Sequence, residues 1–177
     1  MTSSTTQSER VVFASGGFVC TEIRPVDIEA ILVGPRQPDW APDYPGAGAA
    51  ICLQTMRIAV DNGLWAPGRG AFQIRHEGTV IGEFSFHTRP FDGVVEIGYG
   101  LRPSARGRGL MVRCLRETVA WSARQPDLWV LTATTDPDNV ASRRTLARAG
   151  FELVHADDVG CRYRCVLRPD IGADDND

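Results

Sequence analysis

Arg102, Arg106 and Arg108 fall within seven residues around Gly107 and Gly109, just ahead of a stretch that repeats apolar or small side chains at Met111, Cys114, Leu115, Thr118, Val119 and Ser122. That 3-4-3 spacing predicts an amphipathic helix. The first N–H groups of such a helix have no intrahelical acceptor and carry the positive end of its dipole. A cation placed there is unfavourable by roughly 0.3–1 kcal/mol. A bound polyanion removes the conflict, and Gly107 and Gly109 let backbone approach it closely and take up φ values forbidden to a side chain. A turn whose arginines lie in solvent would leave the same sequence, so the surrounding elements carry weight.

Residues 94–101, reached through Asp92-Gly93, read as a strand running into that turn. After the helix, 128–134 alternates as a second strand, Asp136-Pro-Asp-Asn139 supplies capping residues with Pro137 suited to a first helical position, and 141–149 reads as a helix ended by Gly150. Strand, helix, strand, helix implies a parallel crossover with both helix N-termini at one edge of the sheet, where ligands bind. Upstream, 18–24 reads as an edge strand, 26–32 as a short helix after Pro25, 35–48 as a loop rich in proline and glycine, and 49–62 as a helix with Leu53, Met56 and Val60 on one face. Residues 71–75 and 79–87 form a hairpin about Glu77-Gly78, while 152–156 and 162–167 close the sheet antiparallel. The expectation is an α/β (α+β) fold, a mixed sheet of about seven strands with helices on both faces. It forms one domain over 11–169, with 1–10 and 170–177 as flexible tails.

The turn Arg106-Gly-Arg-Gly109-Leu-Met111 resembles the acetyl-CoA motif of the GCN5-related N-acetyltransferases (GNAT family), Gln/Arg-x-x-Gly-x-Gly/Ala at a helix start. Met111 departs from the small residue usual at the last position. Val95-Glu-Ile-Gly-Tyr-Gly-Leu101, and Asn139-Val-Ala-Ser142 through Ala149-Gly-Phe151, are similar to the RimJ/RimL-like branch, and the resemblance runs over 72–167. It implies acetyl-CoA as co-substrate, no metal, and a cofactor site made of Ile97, Tyr99, Leu101, Arg106, Gly107, Arg108, Gly109, Leu110, Met111 and Asn139. In the family the strand matching 97–101 pairs its backbone with the pantetheine arm and donates an N–H to the acyl oxygen. Gly98 and Gly100 suit that approach, and a sheet bulge would account for them equally.

Acyl transfer from a thioester needs a neutral amine, a stabilised oxyanion and a protonated leaving thiolate. On the resemblance, Glu96 is the leading base. It lies on the strand that carries the thioester, and partial burial would raise its pKa toward neutrality. Glu83, Asp92 and His87 are its substitutes, and a salt-bridged surface glutamate is the alternative for Glu96. Many relatives use a tyrosine to protonate the thiolate, but Leu146 stands at that position here. The RimL-like serine is matched by Ser142, which could instead bond back to a helix carbonyl. Asn139 reads either as a bridge to the pantetheine arm or as the cap of its helix, and Asp136 and Asp138, which can also cap, leave it freer for the former. Arg143 and Arg144 read either as phosphate contacts or as a solvated face. Trp40 and Tyr44, with Trp65, Asp39 and Asp43 nearby, fall where relatives shape the acceptor cleft, and His87 joins them as a substrate contact. Aromatic faces with carboxylates suit a cationic amine, while tryptophans packing a loop fit as well. The expected reaction moves an acetyl group to a primary amine, on a peptide N-terminus or a small cationic molecule. The alternatives are a catalytically silent acyl-CoA-binding module and a dinucleotide-binding oxidoreductase. Against the second, Gly107-x-Gly109-x-x-Val112 lacks the third glycine.

The 177 residues carry 19 basic and 22 acidic side chains, a net charge of −3, which argues against general nucleic-acid binding. All 19 basic residues are arginine, so neither a Walker loop nor a Schiff-base lysine is available. Cys20, Cys52, Cys114, Cys161 and Cys165 show neither Cys-x-x-Cys spacing nor clustered histidines, which points to core residues rather than disulfides or zinc. There is no long apolar run and no hydrophobic leader in 1–10, so the expectation is a cytoplasmic protein without membrane partners. A homodimer stays open.

Overall fold

The computed structural model describes residues 11–87 and 89–168. The expected tails 1–10 and 170–177 lie outside the described residues. The strands are β1 (Val11–Ser15), β2 (Phe18–Glu22), β3 (Ala71–His76), β4 (Thr79–Phe86), β5 (Val94–Leu101), β6 (Val130–Thr135), β7 (Glu152–Ala156) and β8 (Cys161–Val166). The helices are α1 (Ile28–Val33), α2 (Ala47–Asp61), α3 (Leu110–Ser122) and α4 (Val140–Ala149). One eight-stranded sheet runs in the order β1-β2-β3-β4-β5-β6-β8-β7. Every pairing is antiparallel except β5 with β6, the pair that α3 connects.

Local chemistry explains most of the connections. Glu77 and Gly78 take φ of 51° and 81°, and Asp92 and Gly93 take 49° and 71°. Two successive left-handed residues make a turn whose twist matches that of the strands it joins. Gly150 closes α4 at φ 98°, a left-handed cap that a side chain would strain.

Alternation along the strands sorts their side chains onto two faces. Phe72, Ile81, Phe84, Phe86, Val95, Ile97 and Leu101 join one buried cluster with Leu115 of α3 and Leu146 of α4. Their neighbours Ala71 and Val80 join a separate cluster with Ile28 and Ile31 of α1 and Leu53 and Met56 of α2. Helices therefore cover both faces, as expected. The α3 stripe buries Met111, Cys114, Leu115, Thr118 and Ser122 as its spacing predicts, and Leu110 as well. Each fully buried leucine contributes about 1.5–3 kcal/mol.

Three expectations change. The sheet gains an eighth strand, β1, which pairs outside β2 and makes 18–22 interior rather than an edge. The helix expected at 26–32 is present as α1 but starts at Ile28, after a 3₁₀ turn at Pro25–Asp27. In α2, Ala49 is buried with Leu53 and Met56, while Val60 is only half-buried.

The feature that positions the site is a divergence in the sheet. β5 pairs with β4 over Ile97 to Leu101, but with β6 only at Val94, Val95 and Glu96. Beyond Glu96, no strand among the described residues pairs with the β6-side edge of β5.

Candidate active site

The open edge of β5 faces the starts of α3 and α4. Between them lies a cavity of ≈ 460 Å³ whose walls include Tyr99, Leu101, Arg106, Gly107, Gly109, Leu110, Met111, Asn139, Ser142 and Arg144. Gly107 and Gly109 take φ of 74° and 69°, and a Cβ added at either would meet nothing within 4 Å. Glycine is required there by backbone conformation, and the space beside it is open to a ligand. Helix α3 begins with no side-chain cap and no acidic residue in its first turn, so its N–H groups and dipole are presented to that space. Arg106 anchors its Nε–H on the Leu101 carbonyl at 2.8 Å, which places its guanidinium at the cavity wall.

Not every expected cofactor residue lies here. Ile97 is buried in the core, and Arg108 is exposed and outside the wall. Arg102 leaves the turn altogether and pairs with Glu83 on the other face of the sheet. Met111 serves both of its possible roles, sitting in the core stripe and at the wall. Asn139 is the cap of α4, the second of its two readings, accepting the Ser142 backbone N–H on Oδ1 at 3.0 Å. The Asn139 side chain sits directly opposite the N–H three residues on, the usual capping geometry. Arg144 lines the cavity, whereas Arg143 donates to the Pro137 carbonyl at 3.1 Å.

Across this cavity the Tyr99 hydroxyl lies 2.7 Å from Ser142 Oγ. Burial pushes the Tyr99 phenol up to about 12, against a lowering by the Ser142 contact. The pair stays protonated at neutral pH and can donate into the cavity. The sequence placed Tyr99 only by its backbone. Its alternation against Gly98 and Gly100 was the available signal that its ring turns toward α4.

On the opposite face of β5, Gly98 and Gly100 lie across from Ser85 and Glu83 of β4. Glu83, Ser85, His87, Gly98 and Gly100 line a cleft of ≈ 340 Å³ with Gly48, Cys52 and Thr55 of α2. His87 Nε2 stands so close over Gly98 that a side chain there would collide with it, and a Cβ on Gly100 would come within 3.2 Å of Glu83 Oε1. The two glycines therefore make room for groups on β4 as well as for a ligand.

Two carboxylates differ sharply here. Glu83 is 3% exposed, its Oε1 accepts from Arg102 at 2.8 Å, and its Oε2 has no partner among the described residues. Burial raises its carboxyl to about 7 even though the Arg102 charge opposes the shift. Glu96, expected to be the partly buried base, has a side chain 40% exposed, 4.0 Å from His87 Nδ1. Glu96 is thus partly buried, as expected, and Glu83 is the more deeply buried of the two. Asp92 lies outside the cleft, in the turn before β5.

The acceptor aromatics expected from the sequence are core residues. Trp40 and Tyr44 are 6% and 3% exposed and pack edge to face, 5.1 Å between ring centroids. Their carboxylate neighbours are committed too. Asp39 pairs with Arg75 at 2.9 Å, and Asp43 accepts from the Ser104 backbone and hydroxyl. Of the expected substrate contacts, His87 lies in the cleft.

Among the described residues no helix is long and apolar enough to cross a membrane, and no group of three or more His, Cys, Asp or Glu could hold a metal ion. Residues 21–152 match the family model described as acetyltransferase (GNAT) domain, and the chain belongs to that family. It is 30% identical over 77 residues, 43% of its length, to the uncharacterized N-acetyltransferase YjdG of Bacillus subtilis (strain 168), and the match spans 46% of that protein. Among solved structures, 89% of the chain matches 99% of the Salmonella typhimurium acetyl transferase that modifies the N-terminal serine of ribosomal subunit protein L7/L12, at TM-score 0.63 and 18% identity. A further 86% match covers 93% of the microcin C7 self immunity acetyltransferase MccE in complex with acetyl-CoA and AMP, at TM-score 0.60 and 15% identity. These structures share the fold, and family membership removes the oxidoreductase alternative.

Proposed function

We propose that the protein is an acetyl-CoA-dependent N-acetyltransferase that moves the acetyl group to a primary amine by direct attack on the thioester. The observation that carries this reading is the position of β5 between two unlike cavities. One holds an uncapped helix start and a glycine cradle suited to a pyrophosphate. The other holds a buried carboxylate with an uncommitted oxygen. A thioester laid along the open edge of β5 would be reachable from the cleft, where Gly98 and Gly100 leave space.

In the reaction, the amine enters neutral, and Glu83 Oε2 takes the one proton its nitrogen loses in becoming an amide. The amine nitrogen bonds to the carbonyl carbon as the C–S bond breaks. A proton from the Tyr99–Ser142 hydroxyl pair goes to the departing sulfur, and solvent returns a proton to the pair as Glu83 gives up its own to water. A backbone N–H of β5 would hold the acyl oxygen. Its raised pKa lets Glu83 accept a proton near neutrality, and Arg102 keeps enough of it ionised to act. Glu96 and His87, at the rim, would orient the acceptor.

The test is release of free thiol from acetyl-CoA with a panel of amines and peptides, with the product identified by mass. Acetylated amine is the expected result. Acetyl-CoA binding without turnover on any amine would instead favour the silent binding module, for which the buried Leu146 at the usual tyrosine position is the supporting feature.

A further inference from the structure

A second cavity, ≈ 270 Å³, opens off the cleft on the α2 face of the sheet. The two share Cys52, Thr55, Ser85 and His87 as common walls, so one ligand can extend from Gly98 and Glu83 into the second space. Its remaining lining is mostly apolar, chiefly Met56, Ala59, Leu64, Trp65 and Phe86. Among the described residues no carboxylate lines it, and its two charged wall residues are arginines. Arg69 is paired with Asp127, and Arg89 donates to the carbonyls of Gly63, Leu64 and Trp65. Burial raises the Cys52 thiol to about 11, so it stays neutral at the junction.

Resting on the acetyl-transfer reading, we infer that the acceptor is a primary amine whose carbon skeleton carries an apolar side chain of branched aliphatic or aromatic size, seated in this second cavity. The amine end meets Glu83. The apolar end replaces water against Met56, Leu64 and Trp65, the kind of burial that favours association by area. A second ammonium is disfavoured there, because among the described residues no carboxylate lines the space to receive it, Asp127 is taken by Arg69, and the Arg89 guanidinium and desolvation both oppose it. A polycationic acceptor therefore does not fit, in contrast to the cationic amine that Trp40, Tyr44, Asp39 and Asp43 suggested from sequence.

The experiment measures kcat/KM with acetyl-CoA for phenethylamine, methylamine and spermidine, and for the peptides Phe-Ala-Ala and Ser-Ala-Ala, in the wild type and in Ala59→Leu. Ala59 lines the second cavity but not the cleft, so the added bulk fills only the former. The expected result is a preference of about tenfold or more for phenethylamine over spermidine, and for the Phe over the Ser peptide. Ala59→Leu should erase that preference and leave methylamine within about twofold of wild type. Leu64→Trp, at an exposed position that lines the second cavity but not the cleft, replaces it if Ala59→Leu does not fold. The two peptides distinguish a protein N-terminus from a free small amine as the source. Preference for spermidine, or no preference that either variant alters, overturns the inference and leaves acetyl transfer standing. If no amine is turned over, calorimetric titration of phenethylamine into the CoA-loaded protein decides. Binding that Ala59→Leu abolishes keeps the cavity assignment and overturns acetyl transfer, and absence of binding overturns both.

Discussion

The two faces of β5 are built on opposite principles. Toward α3 and α4 the site is mostly backbone, with glycines at positive φ and helix N–H groups held open by the divergence of β5 from β6. Toward α2 it is side chains brought from distant parts of the chain. These are Glu83 from β4, Arg102 from beyond β5, and Cys52 and Met56 from α2. A backbone site recognises a constant ligand, since main chain cannot be varied residue by residue. A side-chain site can be retuned to a different acceptor while the donor half stays fixed.

The largest effect expected from breaking this division is at Glu83. Glu83→Gln keeps shape but removes the proton acceptor, so kcat/KM should fall by about 10²–10⁴. The acid-side limb of the pH–rate profile, expected near the carboxyl's value of about 7, should vanish. Glu96→Gln should keep that limb, and an initial-rate profile for both variants checks the assignment.

Arg102→Ala tests the same face through stability. Removing one partner of a buried ion pair costs about 3–5 kcal/mol, which denaturant unfolding would read. It should also push the Glu83 carboxyl further up, moving the acid limb to higher pH. The sign for folding follows from the raised carboxyl. Its stabilising contribution is full below the ordinary value of 4.5 and is lost as pH rises through about 7. Glu83→Gln should flatten that decline in a melting series across the same range.

Much of the backbone half was legible from sequence. Turn glycines, the helix stripe and the capping residues are local signals, and Met111-Cys114-Leu115 or Glu77-Gly78 announce their geometry within a few residues. The sheet's eighth strand was missed because Val11–Ser15 is short and follows a polar leader. The side-chain half was read least well. Nothing near Arg102 in sequence tells that it abandons its turn for Glu83, 19 positions earlier. Likewise Trp40 and Tyr44 are spaced like a recognition surface, but tertiary packing takes them into the core. Glu83 and Glu96 sit on alternating strands with similar neighbours, and only the covering α2 and the guanidinium of Arg102 separate their chemistry.

A smaller effect should sharpen the donor side. Asn139→Ala removes the cap that holds the Ser142 N–H and should cost about 1 kcal/mol of stability, seen as a lowered Tm. Because the same turn presents the Ser142 hydroxyl to Tyr99, kcat should fall modestly with acetyl-CoA affinity nearly unchanged.

Calorimetric titration of acetyl-CoA into the wild type, Arg106→Ala and Glu83→Gln tests the division of β5 most directly. Loss of a charge-assisted contact of about 1.5–3 kcal/mol should weaken the Arg106 variant by about tenfold or more, while Glu83→Gln binds as the wild type does. Unchanged affinity in Arg106→Ala with marked loss in Glu83→Gln would place the donor on the α2 face and contradict the account.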